Sequence, residues 1–236
     1  YEAHSKNLEL YSGGFPPSSL VTVGGNEREV VQVTECSAVL ALLLQYVHNQ
    51  RQPDSSKFDF KTLDGLAEAA EKYLVYSAME VCKLRMMWKH PLRVLAYATK
   101  HDYPELRDAA APQTISTPLG EVSAVLRHMP HIFIAWVKYR EGFIHAAQLS
   151  FKLPPVILHR GGLDTCELWP PFQQEIFNYL ERDMKTSLDQ FRKFPALIEG
   201  NIYRLSNCTH CATRARGWGR LVAERVNSLP HFRTFL

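Results

Sequence analysis

The sequence predicts an α+β fold that is mostly α-helical, with a small sheet near the N-terminus. Apolar residues recur at helical spacing from Ser37 onward, whereas Val30 to Val33 is a short β-branched run bounded by charges. Pairs of glycine and proline separate the short elements. With 236 residues, 46% of them hydrophobic, the chain is long enough for one large domain or two of ordinary size.

Apolar stripes at positions i, i+3, i+4 and i+7 predict most of the helices. Pro91 and Pro104 each precede one of these patterns, which is compatible with a helix because a proline in the first turn loses no needed hydrogen bond. The predicted helices span residues 4–11, 40–47, 60–73, 75–86, 92–99, 106–110, 119–127, 132–149, 172–183, 187–194 and 213–227. The aromatic stripe Trp136, Tyr139 and Phe143 favours a buried helix face. We expect a domain over 1–87, a helical pair over 88–117 and a helical C-terminal domain over 118–236.

Composition narrows the class of protein. The five cysteines are an odd number and too few for a disulfide scaffold, which favours a reducing, intracellular compartment, cytoplasmic or nuclear. The longest apolar-rich run, Ser37 to Val47, is too short to span a membrane. Positive charge is concentrated towards the C-terminus, where the chain from Met184 onward has nine Lys or Arg against three Asp or Glu.

Four residues near the N-terminus, His4, Leu8, Ser12 and Phe15, have the spacing H-x3-L-x3-S-x2-F. This pattern resembles the signature of BTB/POZ domains, and the resemblance extends to about Arg85. Stretches around residues 51–53, 90–95 and 98–104 are similar to a group of largely uncharacterised fungal BTB proteins. The resemblance implies a small sheet flanked by helices, and a function in self-association or partner binding.

The sequence departs from a full BTB pattern in two places. The first strand and the dimer-forming helix of a complete domain have no counterpart, so we expect the chain to be N-terminally incomplete. The stretch from Val21 to Glu29 lacks an apolar-x-Glu motif of the kind found in cullin-binding adaptors. We therefore predict an oligomerisation or adaptor protein with protein partners, as a homodimer in the complete chain, and leave cullin binding open.

Signals for enzymatic chemistry are weak. The chain lacks the motifs G-x4-G-K-[ST], G-x-G-x-x-G, H-E-x-x-H and G-x-S-x-G. His128 and His131 flank Pro130 and offer general-base candidates, but polar residues at a helix end explain them as well. We predict no enzyme, no catalytic residue and no small-molecule substrate.

The pair Cys208 and Cys211 forms a C-x-x-C motif, and two thiolates at this spacing can bind one tetrahedral zinc ion. Cys166 is the leading third ligand. The candidates for the fourth ligand are His210, His159 and His131. The predicted cofactor is therefore either none or one structural zinc, which would tie the irregular region 153–171 to the last helix. A C-x-x-C redox motif is less favoured, because it should follow a strand.

The last predicted helix also carries four arginines, Arg214, Arg216, Arg220 and Arg225. A basic face beside a zinc site is typical of some nucleic-acid-binding proteins, which is the alternative function. Against this alternative, the helix also has an ordinary buried stripe, formed by Trp218, Leu221, Val222 and Val226. The arginines then form the solvated face of the helix. We expect no nucleic-acid partner.

Overall fold

The structure is a computed structural model that describes residues 1, 3–15, 32–184 and 188–236, without the side chains at 87–89, 183–184 and 188–190. Its contacts divide the chain into two compact units, Tyr1–Leu106 and Arg107–Leu236. The boundaries of the three predicted domains stay predictions. No helix within the described ranges combines the length and the apolar content that crossing a bilayer requires.

All regular structure in the described residues is helical. The α-helices are α1 (Ser5–Tyr11), α2 (Ser37–Tyr46), α3 (Phe60–Tyr73), α4 (Tyr76–Lys89), α5 (Pro91–Lys100), α6 (Pro104–Ala110), α7 (Leu119–Leu126), α8 (Pro130–Gln148), α9 (Trp169–Met184), α10 (Phe194–Asn201) and α11 (Thr209–Asn227). Short 3-10 turns join several of them, including Leu188–Lys193 and Ile202–Leu205. The predicted helix over 187–194 is thus a 3-10 turn over its described part, and α10 begins only at Phe194.

The predicted sheet is wrong. Positions 30 and 31 lie outside the described residues, and the described part of the run, residues 32 and 33, forms no strand. A strand needs a neighbouring strand to accept its backbone hydrogen bonds. The chain here attaches to α3 through side chains instead, because the Glu35 carboxylate accepts hydrogen bonds from Lys72 Nζ at 2.7 Å and from Tyr73 OH at 2.8 Å.

The first unit is built around α2, α3 and α4. Asp59 starts α3 by accepting a hydrogen bond from the Thr62 backbone N–H at 2.8 Å. Leu74 ends the helix in the left-handed conformation, with φ 52°. The three helices enclose a core of fully buried side chains that includes Leu43, Leu66, Ala70, Val75, Cys82 and Met86.

The four residues of the BTB-like signature lie at α1 and just after it. His4 precedes the helix, and the Ser12 hydroxyl donates a hydrogen bond to the Leu8 carbonyl at 2.8 Å. Phe15 stacks on Tyr73 of α3, with ring centroids 4.4 Å apart. Of the four signature residues, Phe15 therefore connects the segment after α1 to the end of α3. The stretch 21–29, which bears on cullin binding, lies outside the described residues.

The second unit packs α7 to α11 around aromatic side chains. Trp136, Tyr139 and Phe143 of α8 are buried, as the periodicity predicts. A second cluster joins α9, α10 and α11 and supports the loop between α8 and α9. Its largest members are Trp169, Phe172, Phe191, Phe194 and Trp218.

Candidate metal centre

The start of α11 holds two cysteines one helical turn apart. Cys208 is the N-cap residue of the helix and has an extended backbone. Its sulfur accepts a hydrogen bond from the Cys211 backbone N–H at 3.4 Å. Because the first backbone N–H groups of a helix point outwards and carry partial positive charge, this position favours a thiolate.

A turn in the loop between α8 and α9 places His159. The His159 backbone N–H donates to the Leu163 carbonyl at 2.8 Å, and the Gly162 N–H donates to the His159 carbonyl at 3.0 Å. Gly161 and Gly162 both have positive φ, 86° and 78°, a conformation that glycine adopts without strain. The chain thus reverses direction immediately after the histidine.

Cys166 lies where the loop turns into α9. The Trp169 backbone N–H donates to the Cys166 carbonyl at 3.1 Å, so the cysteine is fixed to the first turn of the helix. Cys166 and Cys208 pack against the aromatic cluster of the second unit, and Cys211 is buried within it. The apolar core of this unit therefore determines the positions of the three sulfurs.

Together these elements bring His159, Cys166, Cys208 and Cys211 into one group that can hold a metal ion. Their ligand atoms all lie within 4.8 Å of one another. His159 Nε2 is 3.1 Å from the Cys208 sulfur and 3.4 Å from the Cys211 sulfur. Four-coordinate sites made of cysteine sulfur and imidazole nitrogen select transition metals such as zinc.

The pKa values of Cys208 and Cys211 shift in opposite directions. Burial alone would raise the pKa of Cys208, but hydrogen bonds from the backbone and side chain of Cys211, from His159 and from Cys166 lower that pKa to about 7. Burial and the two neighbouring sulfurs raise the pKa of Cys211 to about 12. A cation bound between the sulfurs removes this repulsion and stabilises the thiolates.

A second contact attaches the loop to α11. Arg214 Nη2 donates a hydrogen bond to the Pro154 carbonyl at 2.8 Å. The guanidinium also lies over the Trp169 ring, 4.0 Å from the ring centroid. The loop is therefore connected to α11 at the metal-ligand group and also at the Pro154 carbonyl.

The structure brings together Cys166, Cys208 and Cys211, the three predicted metal ligands. The fourth member is His159, one of the three candidates, rather than His210, whose ring centroid lies 5.1 Å from that of His159. The third candidate, His131, is exposed at the start of α8 and lies outside the group. His128, the general-base candidate beside it, contacts its neighbour Arg127 at 2.7 Å.

Two of the four arginines on α11 already have partners within the second unit. Arg214 binds the loop as described, and Arg216 pairs with Glu199 of α10 at 3.0 Å. Arg220 and Arg225 are exposed. Of the apolar stripe beside them, Trp218 and Val222 are buried, whereas Leu221 is 45% exposed. The alternative of a nucleic-acid-binding face stays a prediction.

Comparison with known proteins identifies no relative. No family model matches the chain, and neither a curated protein nor a solved structure matches it. The BTB/POZ resemblance of the N-terminal residues therefore stays a prediction.

Proposed function

We propose that this chain is a non-catalytic protein-interaction protein whose C-terminal unit is held together by one structural zinc ion. The single observation that carries the proposal is the convergence of His159 with three cysteines. Zinc is typically bound in structural sites by three or four cysteines, with histidine as the other ligand. A Cys3His group is one of the standard combinations.

The spacing of the ligand atoms favours one ion over a cluster. Zinc–sulfur bonds of about 2.3 Å place two sulfurs of a tetrahedral site roughly 3.8 Å apart. The 3.1 and 3.4 Å contacts of His159 Nε2 and the overall limit of 4.8 Å are of this size. An iron–sulfur cluster lies between its cysteine ligands and needs them farther apart.

Four protein ligands also favour a structural role for the metal. A catalytic zinc usually has three protein ligands and keeps one position for water or substrate. With Cys166, Cys208, Cys211 and His159 all engaged, such a position is absent from the proposed site. The zinc then stabilises the loop and α11, and the function of the protein lies in the surfaces that this unit presents to partners.

The proposed site agrees with an intracellular location. All five cysteines are free thiols, and zinc ligation protects three of them from oxidation. We place the protein in the cytoplasm or the nucleus. The expectation of protein partners, including a second copy of the chain, belongs to the same proposal.

The test is the metal content of the purified, untagged protein, measured by elemental analysis. We expect one zinc per chain, and Co²⁺ substitution should give the absorption of a tetrahedral thiolate site. Single variants of the four ligands, Cys166→Ser, Cys208→Ser, Cys211→Ser and His159→Ala, should lose the metal. Matched controls are His210→Ala, beside the site, and Cys36→Ser, an exposed cysteine in the first unit.

Two results would contradict the proposal. Wild-type protein that takes up no zinc, even when refolded with excess metal under reducing conditions, would leave the four side chains as an ordinary packed cluster. If His159→Ala kept its zinc and His210→Ala lost it, the fourth ligand would be His210 and not His159.

A further inference from the structure

The loop that carries His159 exposes a run of apolar side chains. Residues 153–158 are six consecutive apolar residues, of which Leu153, Val156 and Leu158 are 46%, 55% and 64% exposed. Leu163, just beyond the turn, is 61% exposed. Pro154 is buried and Ile157 is half-buried. Isolated exposed apolar residues are ordinary, but several of them close together usually mark an interaction surface.

The backbone of this run is also free to bind. Residues 153–159 form no helix, turn or bend, and the backbone groups of Val156, Ile157 and Leu158 make no hydrogen bond to any described residue. An unpaired, straight stretch of backbone can accept another chain as a neighbouring strand. Its own donors are restricted to residues 156–158, because Pro154 and Pro155 have no N–H.

Both ends of the run are attached to α11. The Pro154 carbonyl accepts the hydrogen bond from Arg214, and His159 belongs to the metal-ligand group. A segment fixed in this way loses little conformational entropy when it binds a partner. The exposed side chains of Pro155, Val156 and Leu158, and the backbone between them, are thus presented in one conformation.

Charges next to the run indicate the kind of partner. Lys152 and Arg160 lie at its two ends, are exposed and have no ion-pair partner in the described part of the chain. They complement acidic residues on both flanks of a bound segment. A second copy aligned antiparallel about Val156 would bring Lys152 next to Arg160 of the other copy, and these charges repel.

We infer that residues 153–158, together with Leu163, bind an extended apolar segment of a partner protein that has acidic residues on both flanks. The bound segment pairs its backbone with residues 156–158 and covers Val156 and Leu158. Lys152 and Arg160 then contact its acidic ends. The inference rests on the proposed function, since the zinc site fixes one end of the run.

The test uses the full, zinc-loaded chain and a fluorescein-labelled peptide of sequence DEVTVTVED, followed by fluorescence anisotropy. We expect binding to be at least about tenfold weaker for Val156→Asp and for Leu158→Asp, because each removes apolar contact at the centre of the interface. Ile134→Asp, an equally exposed aliphatic residue on α8, is the matched control and should bind as the wild type does. Peptide with N-methylated valines should not bind, since its backbone cannot pair.

Charge exchange gives the sharpest result. The double variant Lys152→Glu, Arg160→Glu should lose the acidic peptide and gain binding of the counterpart KKVTVTVKK. Wild-type protein that fails to bind the acidic peptide at millimolar concentration overturns the inference. So does binding to vesicles containing phosphatidylserine, or self-association abolished by Val156→Asp, because each assigns the run to another occupant. Zinc content is measured on the same samples: one zinc with no peptide binding refutes only this inference, and no zinc refutes the proposed function.

Discussion

Arg214 of α11 binds the carbonyl of Pro154, sixty residues earlier in the chain, through a 2.8 Å hydrogen bond. The same guanidinium covers the Trp169 ring at 4.0 Å. The hydrogen bond attaches the loop that carries His159 to α11, and the ring contact attaches the start of α9 to α11. Neither contact requires a bound ion. The loop therefore has a second attachment, and its contribution can be measured separately from that of zinc.

Arg214→Ala should destabilise the zinc-loaded protein by about 2 kcal/mol, since it removes a hydrogen bond from a charged group and a cation–π contact. Urea denaturation at neutral pH measures the free energy of unfolding. Arg216→Ala, which removes only the solvent-exposed pair with Glu199, is the control and should change stability by less than about 1 kcal/mol. Equal decreases in the free energy of unfolding for the two variants would show that the contacts of Arg214 do not contribute to stability.

The buried pair Thr114 and Trp136 gives a second prediction. Trp136 Nε1–H donates to Thr114 Oγ1 at 2.7 Å, and the Thr114 hydroxyl donates to the Ala111 carbonyl at 2.7 Å. Thr114→Val keeps the shape but leaves the indole N–H buried without an acceptor, which should cost about 1–3 kcal/mol.

Thr213→Val is the comparison for this substitution, because the Thr213 hydroxyl is exposed and bonds only within its own helix. We expect a change within roughly 0.5 kcal/mol there, measured by the same denaturation experiment. A Thr114→Val protein as stable as the control would mean that the indole N–H finds another acceptor.

Gly14 tests how closely the segment after α1 approaches α3. A Cβ at this position would lie 2.5 Å from the Tyr73 Cα and 2.8 Å from the Lys72 carbonyl oxygen. The Gly14 N–H also donates to the Tyr73 carbonyl at 2.9 Å. Gly14→Ala must therefore displace backbone, and we expect it to lower the melting temperature of the first unit by several degrees, measured by circular dichroism.

Gly120→Ala is the matched change at a glycine with open space around its Cβ position. Because this residue lies within α7, alanine should leave stability unchanged or raise it by up to about 1 kcal/mol. If the two substitutions had the same effect, the close approach at Gly14 would be wrong.

Glu35 makes the stability of the first unit depend on pH. Burial acts against its charged form, yet hydrogen bonds from Lys72 and Tyr73 lower the pKa of Glu35 from 4.5 to about 2. The folded protein then binds fewer protons than the unfolded chain in this range. The stabilisation is fully present above pH 4.5 and is lost as the pH falls towards about 2.

Urea denaturation at several pH values between about 5 and 3 should show a steeper loss of stability for the wild type than for Glu35→Gln. Glu105→Gln, at an exposed position in the first turn of α6, should retain the wild-type slope. Parallel curves for the wild type and Glu35→Gln would place the carboxylate in solvent.

Local patterns predicted the helices well where an apolar stripe was long, as in α3 and α8, since a helix with one buried face leaves a clear period. The predicted strand at 30–33 rested on four residues without a recognisable partner strand, and its described part, residues 32 and 33, forms no strand. The helix α10 was missed, because the predicted helix over 187–194 ended where α10 begins, although Pro195 in the first turn of α10 marks a helix N-terminus.

The metal group was predictable only in part. Spacing alone identified Cys208 and Cys211, because both belong to one helical turn. It did not distinguish His159 from His210, since His210 is adjacent in sequence but His159 is placed by a glycine turn and by contacts between distant elements. Cys166 was a candidate by residue type, and only the packing of α9 against α11 brings it to the other two sulfurs.

With a zinc ion bound, the chain from Cys166 to Cys208 becomes a closed ring that contains α9 and α10. The ring is sealed by coordination bonds and not by a disulfide, so it is topologically closed only while the metal stays in place. A protease that cuts one peptide bond inside the ring would leave the two fragments joined through the ion, and after chelation only noncovalent packing would hold them together. A nick would thus weaken the apo protein more than the zinc-bound one.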